Sequence, residues 1–258
     1  MMKNLVCLTA LVVTLALVFS GSALAQRPSP TATIHQQHLT GKGLNSHHQP
    51  LPGSFFYGGD GDPLSYLADG LWNQVSDDLG IDGIVYSPFI VPQFAKWNVG
   101  VLYVNNEYYP YPPTGIVDAA WAISASPGGT PICSGIATPV LTDTGRLYFD
   151  TYEEYTTAVS IETCTLSGTS HGQTRLAQYW ENVTVETSTG DPENPQLVYE
   201  SNVPDVPPPD AVGTPEPRNQ SYFFSEYFLG GKLVNANTQG FYPNQFAVFS
   251  AGVAAATD

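Results

Sequence analysis

The chain has 258 residues, and its 23 Asp and Glu against 8 Lys and Arg give a formal net charge of −15. No basic cluster occurs anywhere in the sequence, which excludes nucleic-acid binding through contacts to the phosphate backbone. After residue 25 no apolar run approaches the roughly 18 residues of a transmembrane helix, which excludes an internal membrane span.

The N-terminal segment has the pattern of a secretory signal. A short positive start, Met1–Lys3, precedes an apolar run over Leu5–Phe19 and the small-residue sequence Ala23-Leu24-Ala25. We assign residues 1–25 to a signal peptide and expect the protein to be secreted and extracellular. Residues 26–52 mix Pro, Gly, Gln, Thr and His with little apolar periodicity. They are predicted to form a flexible leader.

An acidic, glycine-rich motif follows, Gly58-Gly59-Asp60-Gly61-Asp62. Alternating carboxylates on a glycine-rich loop are ligands that Ca²⁺ uses, so Asp60 and Asp62 are the candidate metal ligands. A solvated turn is the alternative, and no cofactor is required on either interpretation. Directly after this motif, apolar residues at helical spacing over 64–75 predict a short helix, with an ordered loop as the alternative.

Short alternating segments separated by Gly, Pro, Asn and Asp turns occupy the rest of the chain. About eleven of them are predicted as strands: Ser54–Tyr57, Ile84–Val91, Trp97–Val104, Ile116–Ser124, Ile132–Thr138, Leu147–Thr151, Tyr155–Glu162, Tyr179–Glu186, Leu197–Ser201, Tyr222–Leu229 and Gln245–Val253. In the third segment, Trp97, Val99, Val101 and Tyr103 are expected on one face. The pattern predicts an all-β, jelly-roll-like antiparallel sandwich with at most one short helix, and a barrel is the alternative.

A tyrosine-proline segment follows the third strand, with Tyr108, Tyr109 and Tyr111 interleaved with prolines. Exposed tyrosine rings offer an apolar face and a hydroxyl group, a combination suited to sugar rings. These three residues are the candidate ligand contacts. The alternative is a loop whose rings cover the edge of the sandwich.

Cysteine usage agrees with export. Cys7 lies within the signal, which leaves Cys133 and Cys164 for the mature chain. An even pair in a secreted protein predicts one disulfide, here between the Ile132–Thr138 and Tyr155–Glu162 segments.

A proline-rich stretch, residues 203–218, interrupts the strand pattern. Because proline cannot donate to a sheet ladder, this stretch is predicted to be an extended surface loop. With that loop included, residues 53–255 are predicted to form a single sandwich domain.

Several short phrases occur in an order that resembles one family of exported bacterial β-sandwich proteins, many of which end in a PEP-CTERM sorting signal. The phrases are Phe56–Pro63, Trp97–Val99, Ala120–Ile123, Gly128–Thr130, Ser134-Gly135, Thr142–Arg146, Tyr179-Trp180, Tyr222–Phe224 and Phe249–Val253. The resemblance implies a secreted sandwich domain and supplies no catalytic residues. After Val253 the sorting motif of that family does not follow, so we expect release rather than anchoring.

No spacing in the sequence selects a catalytic pair of carboxylates. Neighbours such as Glu153 and Glu154 point to opposite faces of a strand, and a glycosidase needs two carboxylates facing one cleft. The sequence therefore predicts a non-catalytic extracellular protein with a binding, adhesion or matrix role. Its expected partner is a glycan or cell-surface polymer, with weak assistance from Ca²⁺. A glycoside hydrolase or lyase on a jelly-roll scaffold is the alternative.

Overall fold

The computed structural model describes residues 50–60, 70–148, 151–173, 176–203, 211–213, 221–236 and 248–256. The strands are β1 (Ser54–Tyr57), β2 (Leu71–Trp72), β3 (Gln74–Ser76), β4 (Ile81–Asp82), β5 (Ile84–Val91), β6 (Lys96–Tyr109), β7 (Ile116–Ser124), β8 (Pro131–Ala137), β9 (Val140–Tyr148), β10 (Tyr152–Ser167), β11 (Ala177–Thr187), β12 (Leu197–Glu200), β13 (Asn202–Val203), β14 (Tyr222–Ser225), β15 (Lys232–Asn235), β16 (Val248–Phe249) and β17 (Ala251–Ala255). The strands outnumber the predicted eleven because very short ones, such as β2 and β4, escape pattern analysis.

Two large sheets hold nearly all of these strands, which confirms the all-β sandwich. One has seven strands in the order β1-β17-β6-β10-β9, with β12 beside β6 and β2 beside β12. The other has eight, in the order β15-β14-β5-β11-β3-β4, with β7 between β11 and β8. Neighbouring strands run antiparallel except β3 and β11, which are parallel.

The main apolar core lies between the two sheets. The face of β6 that packs on it differs from the predicted one. Trp97 and Val99 belong to this core, but the next core residues on β6 are Leu102 and Val104. A register shift against β17 changes the alternation at this point, because Val99 and Val101 pair with the consecutive residues Ala255 and Ala254, which leaves one extra residue on β6. Tyr103 therefore faces away from the core and packs against Tyr57, contrary to the predicted common face.

The predicted disulfide is confirmed and joins the two sheets. Cys133 on β8 is bonded to Cys164 on β10, with their Cα atoms 6.1 Å apart. Since β8 belongs to the eight-stranded sheet and β10 to the seven-stranded sheet, the bond ties one layer to the other.

The segment around Trp72 differs from its prediction. Leu71–Trp72 and Gln74–Ser76 are strands, because Trp72 pairs with β12 and Gln74 with β11. The preceding part of the expected helix, residues 61–69, lies outside the described residues.

The short helix occurs elsewhere, as α1 (Glu226–Leu229), where a strand was expected to continue. The Ser225 hydroxyl caps it by accepting from Phe228 N at 3.0 Å, and the Asp82 carboxylate accepts from Glu226 N at 2.8 Å. These caps end β14 at Ser225. No helix among the described residues is long and apolar enough to cross a bilayer.

The predicted leader and proline-rich loop fall largely outside the described ranges. Of the loop, Val203 lies in β13, and Val212 forms an isolated bridge with Tyr57. That bridge places residue 212 beside the seven-stranded sheet.

Candidate functional site

The tyrosine-proline segment divides into buried and exposed rings. Tyr108 ends the inward-facing series of β6, is fully buried, and has its hydroxyl 2.7 Å from the Thr157 hydroxyl. Burial raises the pKa of Tyr108 to about 12. Tyr109 and Tyr111 are each 43% exposed, so these two of the three predicted contact residues are presented to solvent.

A buried glutamine fixes the backbone of this segment. Gln196 donates from Nε2 to the Pro110 carbonyl at 3.0 Å, and its Oε1 accepts from Thr114 N at 2.8 Å. Gln196 is itself fully buried and immediately precedes β12, which pairs with β6. The segment is thus bonded at two points to a side chain anchored in the sandwich.

Tyr109 also begins a continuous row of aromatic rings, which we call the aromatic row. Its members, in spatial order with neighbouring centroids 4.9–5.7 Å apart, are Tyr109, Tyr152, Tyr199, Trp72, Phe228 and Tyr227. The two ends of the row, Tyr109 and Tyr227, are 43% and 59% exposed, whereas Tyr152 and Tyr199 in its middle are buried. Each exposed ring at an end of the row therefore packs against a neighbouring ring of the row, Tyr109 against Tyr152 and Tyr227 against Phe228.

Asp60, a predicted calcium ligand, lies in a buried ion pair. Its Oδ2 is 2.9 Å from Nη1 of Arg146, and its Oδ1 accepts a short hydrogen bond from the Tyr57 hydroxyl. Among the described residues, no group of three or more His, Cys, Asp or Glu side chains is arranged to hold a metal ion. Asp62 lies outside the described residues, so calcium binding stays a prediction. A cation at Asp60 would compete with Arg146 for the carboxylate.

Arg146 also holds a second carboxylate, that of Glu154. The Arg146 Nε donates to Glu154 Oε2 at 2.6 Å, and the two side chains are 3% and 0% exposed. Burial disfavours the charge on Arg146, but the adjacent Glu154 and Asp60 outweigh it, so its pKa stays above its ordinary value. The guanidinium is therefore a permanent cation between two acids.

The remaining acceptor capacity of Glu154 is also used. Hydroxyl groups donate to its two oxygens at 2.7–3.1 Å, from Ser201, Thr144 and Tyr148. Burial, followed by the charge of Glu154, raises the pKa of Tyr148 well above its ordinary value. These contacts give Glu154 a structural role in a buried network. The neighbouring Glu153 does not share these partners, and its carboxylate accepts a hydrogen bond from the Tyr155 hydroxyl at 3.0 Å.

A second polar network lies between the sheets, centred on Glu200. This carboxylate is buried and accepts from Asn73 Nδ2 at 3.0 Å and from the Ser87 hydroxyl at 3.1 Å. Burial raises the pKa of Glu200 to about 8. The sandwich interior is therefore apolar around Val99 and polar around Glu200.

Sequence reasoning missed Arg146, Glu200, and every member of the aromatic row except Tyr109 as site or network residues. One signal was available for Arg146: in a chain with only 8 Lys and Arg, an arginine within a strand pattern is a candidate for a buried partner of acids. The row had no such signal, because its members come from five separate segments.

Comparison with known proteins adds no functional assignment. No family model, no curated protein and no solved structure matches this chain.

Proposed function

We propose that this is a secreted, non-catalytic protein that binds an extracellular carbohydrate through Tyr109 and Tyr111. The observation that carries the proposal is the presentation of two tyrosine rings, each 43% exposed, on a segment bonded to buried Gln196. Exposed aromatic rings on a fixed backbone provide stacking faces and hydroxyl groups together.

The physical advantage of this arrangement is that the segment and the Tyr109 ring are already ordered before a sugar binds. Immobilising a flexible side chain on binding costs about 0.5–1.5 kcal/mol. Tyr109 already packs against Tyr152, with the ring centroids 5.6 Å apart, so it loses less freedom when a sugar contacts its outer face. Affinity then depends on the contact itself rather than on ordering the loop.

The negative net charge of the chain limits which carbohydrates it is expected to bind. A chain with a formal net charge of −15 repels anionic polymers, so uronic-acid-rich or sulfated glycans are poor partners. We therefore expect a neutral polysaccharide. The proposal does not require Ca²⁺, because the Asp60 carboxylate already has Arg146 as its cation.

The test compares binding of neutral and anionic polysaccharides by glycan array and calorimetry. The variant is Tyr109→Ala/Tyr111→Ala, and the matched control is Phe94→Ala. Phe94 is 67% exposed but precedes β6 at its far end, about 40 Å from Tyr109 for a strand of this length. We expect the double variant to lose binding at least about tenfold and the control to bind like the wild type. Equal binding by all three proteins would overturn the proposal.

Glycoside hydrolysis is the second candidate, favoured by one observation. Glu107 and Glu154 lie directly opposite each other on β6 and β10, so both side chains lie on the same face of the sheet, as a catalytic carboxylate pair requires. Both side chains are completely buried, which favours the structural role. The wild type would then release reducing sugar, and a Glu154→Gln variant with the same thermal stability would not. That result would establish the hydrolase instead.

A further inference from the structure

The outer edge of the eight-stranded sheet ends in a strand with an unusual surface. β8 has seven residues and, among the described residues, pairs only with β7. Ile132 and Ile136 point outward and are 48% and 70% exposed. Natural proteins usually protect such an edge with charged side chains, especially lysine.

No such charge is present on this edge. From Thr130 to Thr142 the sequence contains no Asp, Glu, Lys or Arg, although the chain as a whole is strongly acidic. Pro131, the first residue of β8, and Pro139, two residues after its end, limit the length of the edge without covering its centre. The uncharged edge is therefore open to pairing over a short stretch.

Space beside this edge is available as well. A shallow groove of about 650 Å³ lies between β8 and the Ser160–Thr163 part of β10, with Trp121 in its wall. The pairing of β9 with β10 reaches only to Ala158, so β9 does not fill the groove. The disulfide at Cys133 holds β8 in position along it.

We propose that β8 pairs with β8 of a second copy of this chain, antiparallel and about a two-fold axis through Ser134. This register places Ile132 opposite the partner's Ile136, and Ile136 opposite the partner's Ile132, on one face of the joined sheet. Two-fold pairing of identical strands is self-complementary, and apolar cross-strand pairs stabilise it. A single strand edge offers less than the roughly 1,200 Å² of a stable interface, so the dimer is weak.

Charge distinguishes a second copy from a basic partner protein. Two chains of formal net charge −15 repel each other at long range, and salt screens that repulsion. Self-association through β8 should therefore strengthen as NaCl rises from about 0.02 M to about 0.5 M. Binding of a basic partner would weaken over the same range.

Sedimentation velocity of the purified chain over a concentration series tests the dimer, with Ile136→Lys as the variant. Leu176→Lys is the matched control, because Leu176 is 62% exposed, lies outside β8, and its substitution changes the net charge equally. We expect Ile136→Lys to weaken the dimer at least about tenfold and Leu176→Lys to retain it. Each lysine reduces the net negative charge, so a general charge effect would strengthen both. A wild type that stays monomeric at every concentration and salt would overturn the proposal.

The register is tested separately with Ser134→Cys. The two-fold axis brings residue 134 of both copies to a Cα separation of about 4.5–5.5 Å, which suits a disulfide. Mild oxidation should yield a covalent dimer linked through position 134, with the Cys133–Cys164 bond intact by peptide mapping. A covalent dimer linked elsewhere, or none in a concentration range where the wild type dimerises, would refute this register.

Discussion

Glu200 should make the stability of this protein fall as the pH rises from about 4.5 to about 8. Its carboxyl is buried between the sheets, and burial raises its pKa to about 8 from the ordinary 4.5. The folded protein therefore keeps this proton between those two pH values, whereas the unfolded chain releases it. The stabilisation is fully present below pH 4.5 and is lost as the pH rises through about 8.

The magnitude follows from the size of the shift. Each pKa unit corresponds to about 1.4 kcal/mol, so the free energy of unfolding should fall by about 4 kcal/mol between pH 4.5 and pH 8 from this residue alone. That is a large fraction of the 5–15 kcal/mol typical of a domain. Glu200→Gln cannot ionise and keeps an oxygen to accept from Asn73 or Ser87.

Urea unfolding followed by tryptophan fluorescence at several pH values measures this effect. We expect Glu200→Gln to remove most of the loss between pH 5 and pH 8 and to exceed the wild type in stability above pH 8. Glu193→Gln, at an exposed position, is the control and should follow the wild type. Parallel pH curves for wild type and Glu200→Gln would refute the reasoning.

Three further predictions concern the charged network, the disulfide and the calcium motif. Arg146→Ala leaves two buried acids without their cation and should lower the free energy of unfolding by about 3–5 kcal/mol in chemical denaturation. Replacing Cys133 and Cys164 by serine should cost about 3–4 kcal/mol for a loop with a sequence separation of 31, whereas two reactive thiols in the unreduced, unfolded wild type would contradict the bond. Calcium at about ten times a weak dissociation constant should stabilise the wild type by about 1.4 kcal/mol over EDTA in thermal unfolding, and equal shifts in Asp60→Asn/Asp62→Asn would indicate charge screening instead.

The sequence was sufficient to predict the features that depend on local periodicity. The Tyr179–Glu186 segment, for example, was predicted as a strand from its alternation and lies within β11, where Val183 belongs to the main core and Tyr179 packs against it. The disulfide was predictable by counting, since only Cys133 and Cys164 lie outside the predicted signal peptide. On β6 the same reasoning failed, because the extra residue between Val99 and Val101 is defined by the pairing with β17, which the sequence of β6 alone does not reveal.

The candidate site was predictable only in part, because tertiary pairing determines its remaining members. Tyr109 and Tyr111 were predicted as contact residues from the local sequence and are exposed, whereas Tyr108 beside them is buried, since strand alternation continues to the end of β6. Asp60 looked like a solvent-facing loop carboxylate, and its actual partner, Arg146, is 86 residues away in sequence. No local pattern encodes contacts of that separation.

The length and pairing of β6 have a consequence for amide hydrogen exchange. This strand has 14 residues and is flanked by β10 on one edge and by β17 and β12 on the other. Amides bonded within a doubly flanked strand exchange only through the larger opening events of a protein. Tyr109 is the last residue of β6, so the exposed rings are attached directly to the segment expected to open last. The outward-facing amides of β8 should exchange among the first, and protection there would rise only as a partner strand covers them.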